Sequence, residues 1–323
     1  MKYIVIILFM ALFLISGIEH DAQAQQNKVQ IVNLSNGEAE ENFYSIRRVF
    51  KEQNPGYDMT YLSGVQQVEA QDYTQVVFVQ EIEGITNQDV EAQATVIGNS
   101  DSQEESEAIV GDIFILNGGE MMQSDVEMGL LVFKVPEEPG SDLPSFIRPD
   151  WDPNITDVPG GCATDIDAYR RILLTWQKDV GEYIYHALNA HRVRIYDSFS
   201  HYHPKEGGFD EFYLVQMVKP GAKIITSERV EKITRPGEVK KSEVDKLVRE
   251  YELEVGDLVY LPRGVMHRGL DGVLAQVITV PGFIPGSEIG VDHHLRAINE
   301  RLNLEGEEAL PYNEEHSDEA VIR

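Results

Sequence analysis

The chain has 323 residues, with 27 Lys and Arg against 55 Asp and Glu, for a formal net charge of −28. That length suits two domains rather than one. So acidic a surface repels phosphate backbones and anionic headgroups, which excludes nucleic acid and membrane surfaces as partners and leaves a small-molecule ligand or substrate.

In chain order, Lys2 is followed by an apolar run from Tyr3 to Ile15 and then by Ala22-Gln23-Ala24. Residues 1–24 therefore read as a secretory signal peptide cut before Gln25. The run is shorter than the roughly 18–20 residues needed to cross a bilayer. A secreted or periplasmic protein, free of the membrane after cleavage, is expected. The acidic stretches Glu38–Glu41 and Asp101–Glu107 read as loops.

Most of the remaining chain is short β segments with alternating or β-branched apolar residues: Gln75–Gln80, Ile113–Leu116, Leu130–Val135, Phe212–Val218, Leu258–Leu261 and Leu274–Val280. Glycine and proline separate them, the pattern of an antiparallel sandwich or barrel. Between residues 165 and 180, Ile166, Tyr169, Ile172, Leu173, Trp176 and Val180 recur at helical spacing, which predicts a connecting helix. The Pro- and Gly-rich stretch before it reads as the interdomain connection. A second short helix is expected over Ser242–Glu250, with a capping-box-like Ser242 and Asp245. The single cysteine, Cys162, excludes an internal disulfide and, in its Gly160-Gly161-Cys162 turn, is a poor nucleophile.

An internal repeat organises these elements. Gly111–Met122 aligns without a gap on Gly256–His267, and the register holds until Pro136 falls on Pro281, an offset of 145 residues. Earlier, Gln75–Gln80 matches Glu211–Gln216 at an offset of 136, so the second copy carries 9 extra residues between these blocks.

Only the second copy has a set of metal-ligand side chains. His201 and His203 leave the same face of a strand. After a loop, Pro204–Asp210, the strand opening at Glu211 returns, with Glu211, Tyr213 and Val215 on one side and Asp210 on the other. The Pro262-Arg263-Gly264 turn then delivers His267. Three imidazoles and a carboxylate suit a divalent Mn, Fe, Ni, Cu or Zn ion. In an octahedral set they leave two adjacent positions for water, dioxygen or a bidentate substrate. By alternation, Asp197, Phe199 and Tyr213 share the metal-facing side, and Tyr260 or Arg263 lies near the second motif. Of these, Asp197, Tyr213 and Arg263 are candidates for acid, base or anion clamp. His186 and His191 fall outside the pattern and read as packing or surface residues. His293 and His294 fall in the C-terminal segment, and His316 near an acidic end read as disordered.

His201-x-His203, Glu211 opening an apolar strand, and Gly256-Asp257-x4-Pro262-x-Gly264-x2-His267 resemble the two motifs of the cupin superfamily. With the repeat, the whole resembles a bicupin. Seven residues separate His203 from Glu211, more than the motif usually has, and Glu206 within that loop is the other acid at hand. The resemblance implies an all-β protein of two cupin-like jelly-roll barrels with a short connecting helix. The divisions are a signal peptide at 1–24, a degenerate first barrel at 30–140, linker and helix at 141–181, a metal-binding barrel at 182–286 and a tail at 287–323. In the first copy Val65, Gln67, Gln75 and Met122 replace the ligands, so that half is expected to be metal-free.

For function, the resemblance implies an exported metal-dependent enzyme, first of all a dioxygenase-like oxidoreductase on a small aromatic or carboxylic substrate. A metal-dependent lyase or isomerase and a non-catalytic carbohydrate- or metabolite-binding cupin are the alternatives, and homo-oligomerisation is compatible with each.

Overall fold

A computed structural model of the chain describes residues 28–35, 39–86, 94–98, 105–150, 152–155 and 169–323. The signal-peptide segment, Cys162 and the start of the expected connecting helix lie outside them. Every β segment foreseen from the pattern lies in a strand. The strands form two antiparallel sheets, one of seven strands between residues 58 and 147 and one of ten.

The repeat is a repeat of pairing. Strand Thr74–Ile82 lies between Ile113–Leu116 and Met122–Val135, with Gln75 opposite Leu116 and Lys134. Strand Asp210–Val218 lies between Asp257–Leu261 and Met266–Val280, with Glu211 opposite Leu261 and Thr279. The register breaks between Val79 and Glu81 in the first copy and between Val215 and Met217 in the second, the same step of the same strand.

These central strands read as nearly continuous apolar runs because both of their faces are covered. Tyr213 and Val215 pack inside the second barrel with Val193, Val259 and Val277. Val77 and Val79 do the same inside the first, with Leu130 and Val132. The opposite faces, Phe212 and Leu214 from one half and Val76 and Phe78 from the other, meet in a shared core. Phe50 and Phe133 approach Phe212 there at 5.3 and 5.4 Å between ring centroids, edge to face. Such contacts are favoured beyond simple burial.

Several expectations need correction. The residues read as a connecting helix form instead the strand Arg170–Leu174, paired with Asn189–Asp197. Ile172, Leu173 and Leu174 are all buried. A helix would have buried one stripe of this segment, whereas an edge strand between two cores buries consecutive residues. The helix expected over Ser242–Glu250 is a 3-10 turn, Lys241–Lys246, followed by strand Arg249–Glu252. Its start is capped two residues earlier than read, by the Glu243 carboxylate accepting from the Lys240 amide at 2.9 Å.

The N-terminal arm holds a helix, Ala39–Gln53, that was not foreseen, so part of the acidic stretch read as a loop is helical. Phe43, Ile46, Val49 and Phe50 line its buried side. In the second acidic stretch, Glu105–Ala108 is a strand. Strand Gln30–Asn33, placed by the sequence reading in the first half, pairs with Asp257–Leu261 of the second. The tail is ordered: strand Ile289–Gly290, helix Asp292–Leu302 and two 3-10 turns, with Leu295 and Ile298 buried. No helix among the described residues is long and apolar enough to cross a membrane.

Candidate metal centre

His201 stands directly opposite His267 in the pairing of strands His201–Tyr202 and Met266–Val280. His203 follows on the same side. Its carbonyl accepts from the Gly264 amide at 2.6 Å, so the turn that delivers His267 also holds the backbone of His203. Gly264 has φ +88°, and a Cβ there would lie 2.7 Å from the Lys205 side chain, which explains the glycine. One ligand atom from each of His201, His203 and His267 can be chosen so that all lie within 4.8 Å of one another. All three imidazoles are buried. Phe199 stacks on His201 at 4.4 Å, and Phe209 lies against His203 at 3.9 Å between ring centroids.

Alternation sorts the two neighbouring acids as expected. Glu211 points inward, with Oε1 3.1 Å from His267 Nε2 and Oε2 4.0 Å from His203 Nε2. Asp210 points outward and accepts from Asn54 at 2.6 Å, from the Tyr260 hydroxyl at 3.0 Å and from Arg263 Nε at 3.0 Å. Glu206 is exposed, on a surface cleft with Arg229 and Lys232. Glu211 is therefore the acid at the centre.

The hydrogen bonds around the imidazoles decide where their protons sit. His201 Nδ1 lies 3.1 Å from the Phe199 carbonyl and His267 Nδ1 3.4 Å from that of Val265. His203 has a matching backbone bond to Phe209. A carbonyl only accepts, so each bonded nitrogen carries the hydrogen and each Nε2 carries a lone pair. All three Nε2 atoms and Glu211 Oε1 are buried without a hydrogen-bond partner. Burial holds His201 and His267 down to about 4 and His203 well below the ordinary histidine value, so the rings are neutral. Burial pushes Glu211 up to about 7, against the opposing pull of His201 and a hydrogen bond from Tyr213.

Acceptors thus face acceptors at a buried centre, an arrangement that is costly unless a cation or a shared proton lies between them. A divalent cation among the three imidazoles would relieve this, with the Glu211 carboxylate 3.1 and 4.0 Å from two of them, and such a donor set is one that first-row divalent ions accept. The chain has the ligands of a divalent metal site.

The candidate acid–base residues fall differently. Tyr213 is fully buried beside the centre, its ring 6.2 Å from that of His267. Arg263 turns away to Asp210 and Asn54. Asp197 has a half-exposed side chain and pairs with Arg268 at 2.6 Å. Both are taken up by structural pairs, Asp197 because the register breaks between Ile195 and Asp197.

Sequence reasoning missed the second wall of the site. A cavity of about 430 Å3 opens beside Glu211 and is lined also by Arg170, Trp176, His191, Phe283 and Glu288. His191, read as a packing or surface residue, has its Nε2 buried without a partner on this wall. The inward face shared by His191, Val193 and Ile195 was a signal that could have found it. Glu288 has no motif around it. Its carboxylate lies 3.9 Å from His201 Nε2 and is raised by burial, with His201 pulling the other way. His316, assigned to a disordered end, stacks on Phe199 at 5.4 Å.

The first barrel lacks the set. By strand pairing the residue opposite Met122 is Val68, so Val68 rather than Val65 is the counterpart of His201. Gln75, in the place of Glu211, donates to the Glu69 carbonyl at 3.0 Å. Among the described residues no second metal-ligand cluster occurs.

Two β-sheet halves of equivalent strand pairing, the second carrying three buried imidazoles that could hold a divalent ion, define the architecture and its candidate metal centre. No protein-family model and no curated protein sequence matches the chain. Among solved structures it is similar to an oxalate decarboxylase from Lactobacillus farciminis, in a formate complex, at 14% identity over 78% of this chain and 82% of that one, with a TM-score of 0.44. It is also similar to a Bacillus subtilis oxalate decarboxylase studied for its Mn(II) centres, at 12% identity over 77% and 75%, TM-score 0.43. A third is AerE from Microcystis aeruginosa, at 10% identity over 69% and 86%, TM-score 0.40. At these identities and scores the likeness is one of general architecture, and the metal site rests on this chain's own side chains.

Proposed function

We propose that the protein is an exported, metal-dependent cupin enzyme that oxidises a small aromatic or carboxylic substrate with dioxygen. The observation that carries this reading is the cluster of three neutral, buried imidazoles with the Glu211 carboxylate, which itself lines an adjoining cavity of about 430 Å3. A purely structural ion needs no such space beside it. The bound ion would supply Lewis acidity and positions for a substrate oxygen and dioxygen.

The chain's own residues account for binding and orientation. Trp176 stacks on Phe283 at 4.1 Å between ring centroids, and with Ile172 and Leu174 it makes an apolar wall for the body of a small ring or chain. Arg170 and His191 on the same wall suit a carboxylate or phenolate end. Phe199 and Phe209, packed on His201 and His203, keep two ligand rings in place and water out from behind them. Tyr213, bonded to Glu211, is the group placed to hold a proton there.

The test is an oxygen electrode with metal-loaded protein and a panel of phenols, diketones and dicarboxylates. At least one compound should drive oxygen uptake, and His267→Ala should abolish it. Product formed without oxygen uptake would replace this reading by a lyase or isomerase. Binding without turnover would leave a ligand-binding module. Export rests on residues 1–24, and N-terminal sequencing of protein recovered from outside the cytoplasm should begin at Gln25.

A further inference from the structure

Glu288 lies outside both motif strands, yet it is the second carboxylate at the imidazole cluster. Strand Ile289–Gly290 pairs with His201–Tyr202, which places Gly290 opposite His201. A residue two positions before Gly290 leaves the ladder on the same side as His201. Glu288 Oε1 accordingly stands 3.9 Å from His201 Nε2. Glu211 serves the other two rings, at 3.1 Å from His267 Nε2 and 4.0 Å from His203 Nε2. Each imidazole nitrogen therefore has a carboxylate oxygen within 4.0 Å, and it takes both glutamates to provide this.

The position of Glu288 is held by the end of the ordered tail. The Glu288 amide donates to the Arg323 carbonyl and the Arg323 amide to the Glu288 carbonyl, both at 3.0 Å. Gly290 donates to Val321 at 2.8 Å and Gly286 to Arg323 at 2.9 Å. Arg323 in turn lies over the Phe199 ring that packs on His201. Charge gives a reason for this construction. A divalent ion held by neutral imidazoles and Glu211 alone leaves one uncompensated positive charge in a buried site, a costly state. A second carboxylate cancels it.

We propose that Glu288 is a fifth protein ligand of the ion, so that the C-terminal segment is a working part of the metal centre. The inference rests on the metal-dependent reading of the histidine cluster. Mn2+ alone is the probe, titrated into metal-free full-length protein with free and bound ion followed by electron paramagnetic resonance. Glu288→Gln should weaken Mn2+ binding by about tenfold or more and change the line shape of the bound ion at saturation. Glu288→Asp, which keeps the charge on a shorter arm, should recover part of the affinity while keeping an altered line shape. Should Glu288→Gln lose the circular dichroism of the native protein, the line shape of Glu288→Asp decides.

Unchanged affinity in Glu288→Gln overturns the proposal. So does weakened affinity with an unchanged line shape, because a charge acting at a distance would produce that. His267→Ala run alongside separates the two levels. If it binds Mn2+ as the unaltered protein does, the metal reading of the cluster fails, and not the role of Glu288 alone.

Discussion

The two barrels share strand pairing, the bulge in the central strand and a continuous core, and they differ in a few inward side chains. In the second, His201, His203, Glu211 and His267 point lone pairs at one another. In the first, Met122 is packed as a hydrophobe and Gln75 bonds its own loop. The scaffold therefore does not depend on the metal set, since the first barrel closes without it. What the second barrel adds is a concentration of unpaired acceptors, which a divalent cation between them would satisfy.

The sharpest way to break this comparison is to count ions. Elemental analysis of dialysed protein should find one divalent ion per chain, and His267→Ala should reduce this at least tenfold, while Met122→Ala leaves it at one. Two ions per chain, or full loading of His267→Ala, would end the contrast between the halves.

A second effect concerns the position just before Glu211. Asp210 is buried and accepts from Asn54, Tyr260 and Arg263. Removing it leaves a guanidinium and a phenol without their acceptor, so Asp210→Ala should cost about 3–5 kcal/mol in urea unfolding. The equivalent residue of the first barrel, Thr74, has a buried hydroxyl with no partner. Thr74→Ala should cost less than about 1.5 kcal/mol. Equal losses would show that the second barrel's interface network carries no special weight.

Chelation comes next. With the ion at about 100 times its dissociation constant, its removal should cost the folded state about 2.7 kcal/mol. In calorimetry the loss should fall on the transition of the second barrel. A uniform shift of both transitions would mean that the halves unfold as one unit.

The smallest effect tests the first half alone. Burial pushes Asp58 up, but hydrogen bonds from Arg47 and Lys51 outweigh it and hold the carboxyl at about 2. A folded-state value below the unfolded one stabilises the protein above pH about 4, and this contribution is lost as pH falls through about 2. Arg47 is partly exposed and Lys51 well exposed, so solvent screening limits this to about 1 kcal/mol. Asp58→Asn should lose that much at pH 7 and reduce the acid sensitivity of the first barrel. An unchanged acid profile would remove Asp58 from the account of how the helix Ala39–Gln53 is tied down.

Legibility in the sequence followed the range of the forces involved. The central strands were readable because they are buried on two faces, and the choice of Glu211 over Asp210 because side chains on a strand alternate. The segment Arg170–Leu174 was misread because Ile172, Leu173 and Trp176 fit a helical stripe, while the partner that makes it a strand, Asn189–Asp197, lies beyond the turn. The helix Ala39–Gln53 had an apolar stripe in Phe43, Ile46, Val49 and Phe50, and the acidic residues at its start obscured it. Arg263 sits in the motif turn, but its reach to Asp210 and Asn54 depends on the helix from the other half lying against it.

By itself the sequence determined the repeat, the all-β character, the three histidines and the inward glutamate, because period-two alternation and turn chemistry act within a few residues. Only the tertiary structure decided that Gln30–Asn33 crosses to the second sheet, that Arg170–Leu174 is a strand and that the tail returns to set Glu288 beside His201. Those outcomes depend on which distant surface remains to be covered once the barrels have closed, and no local pattern encodes that.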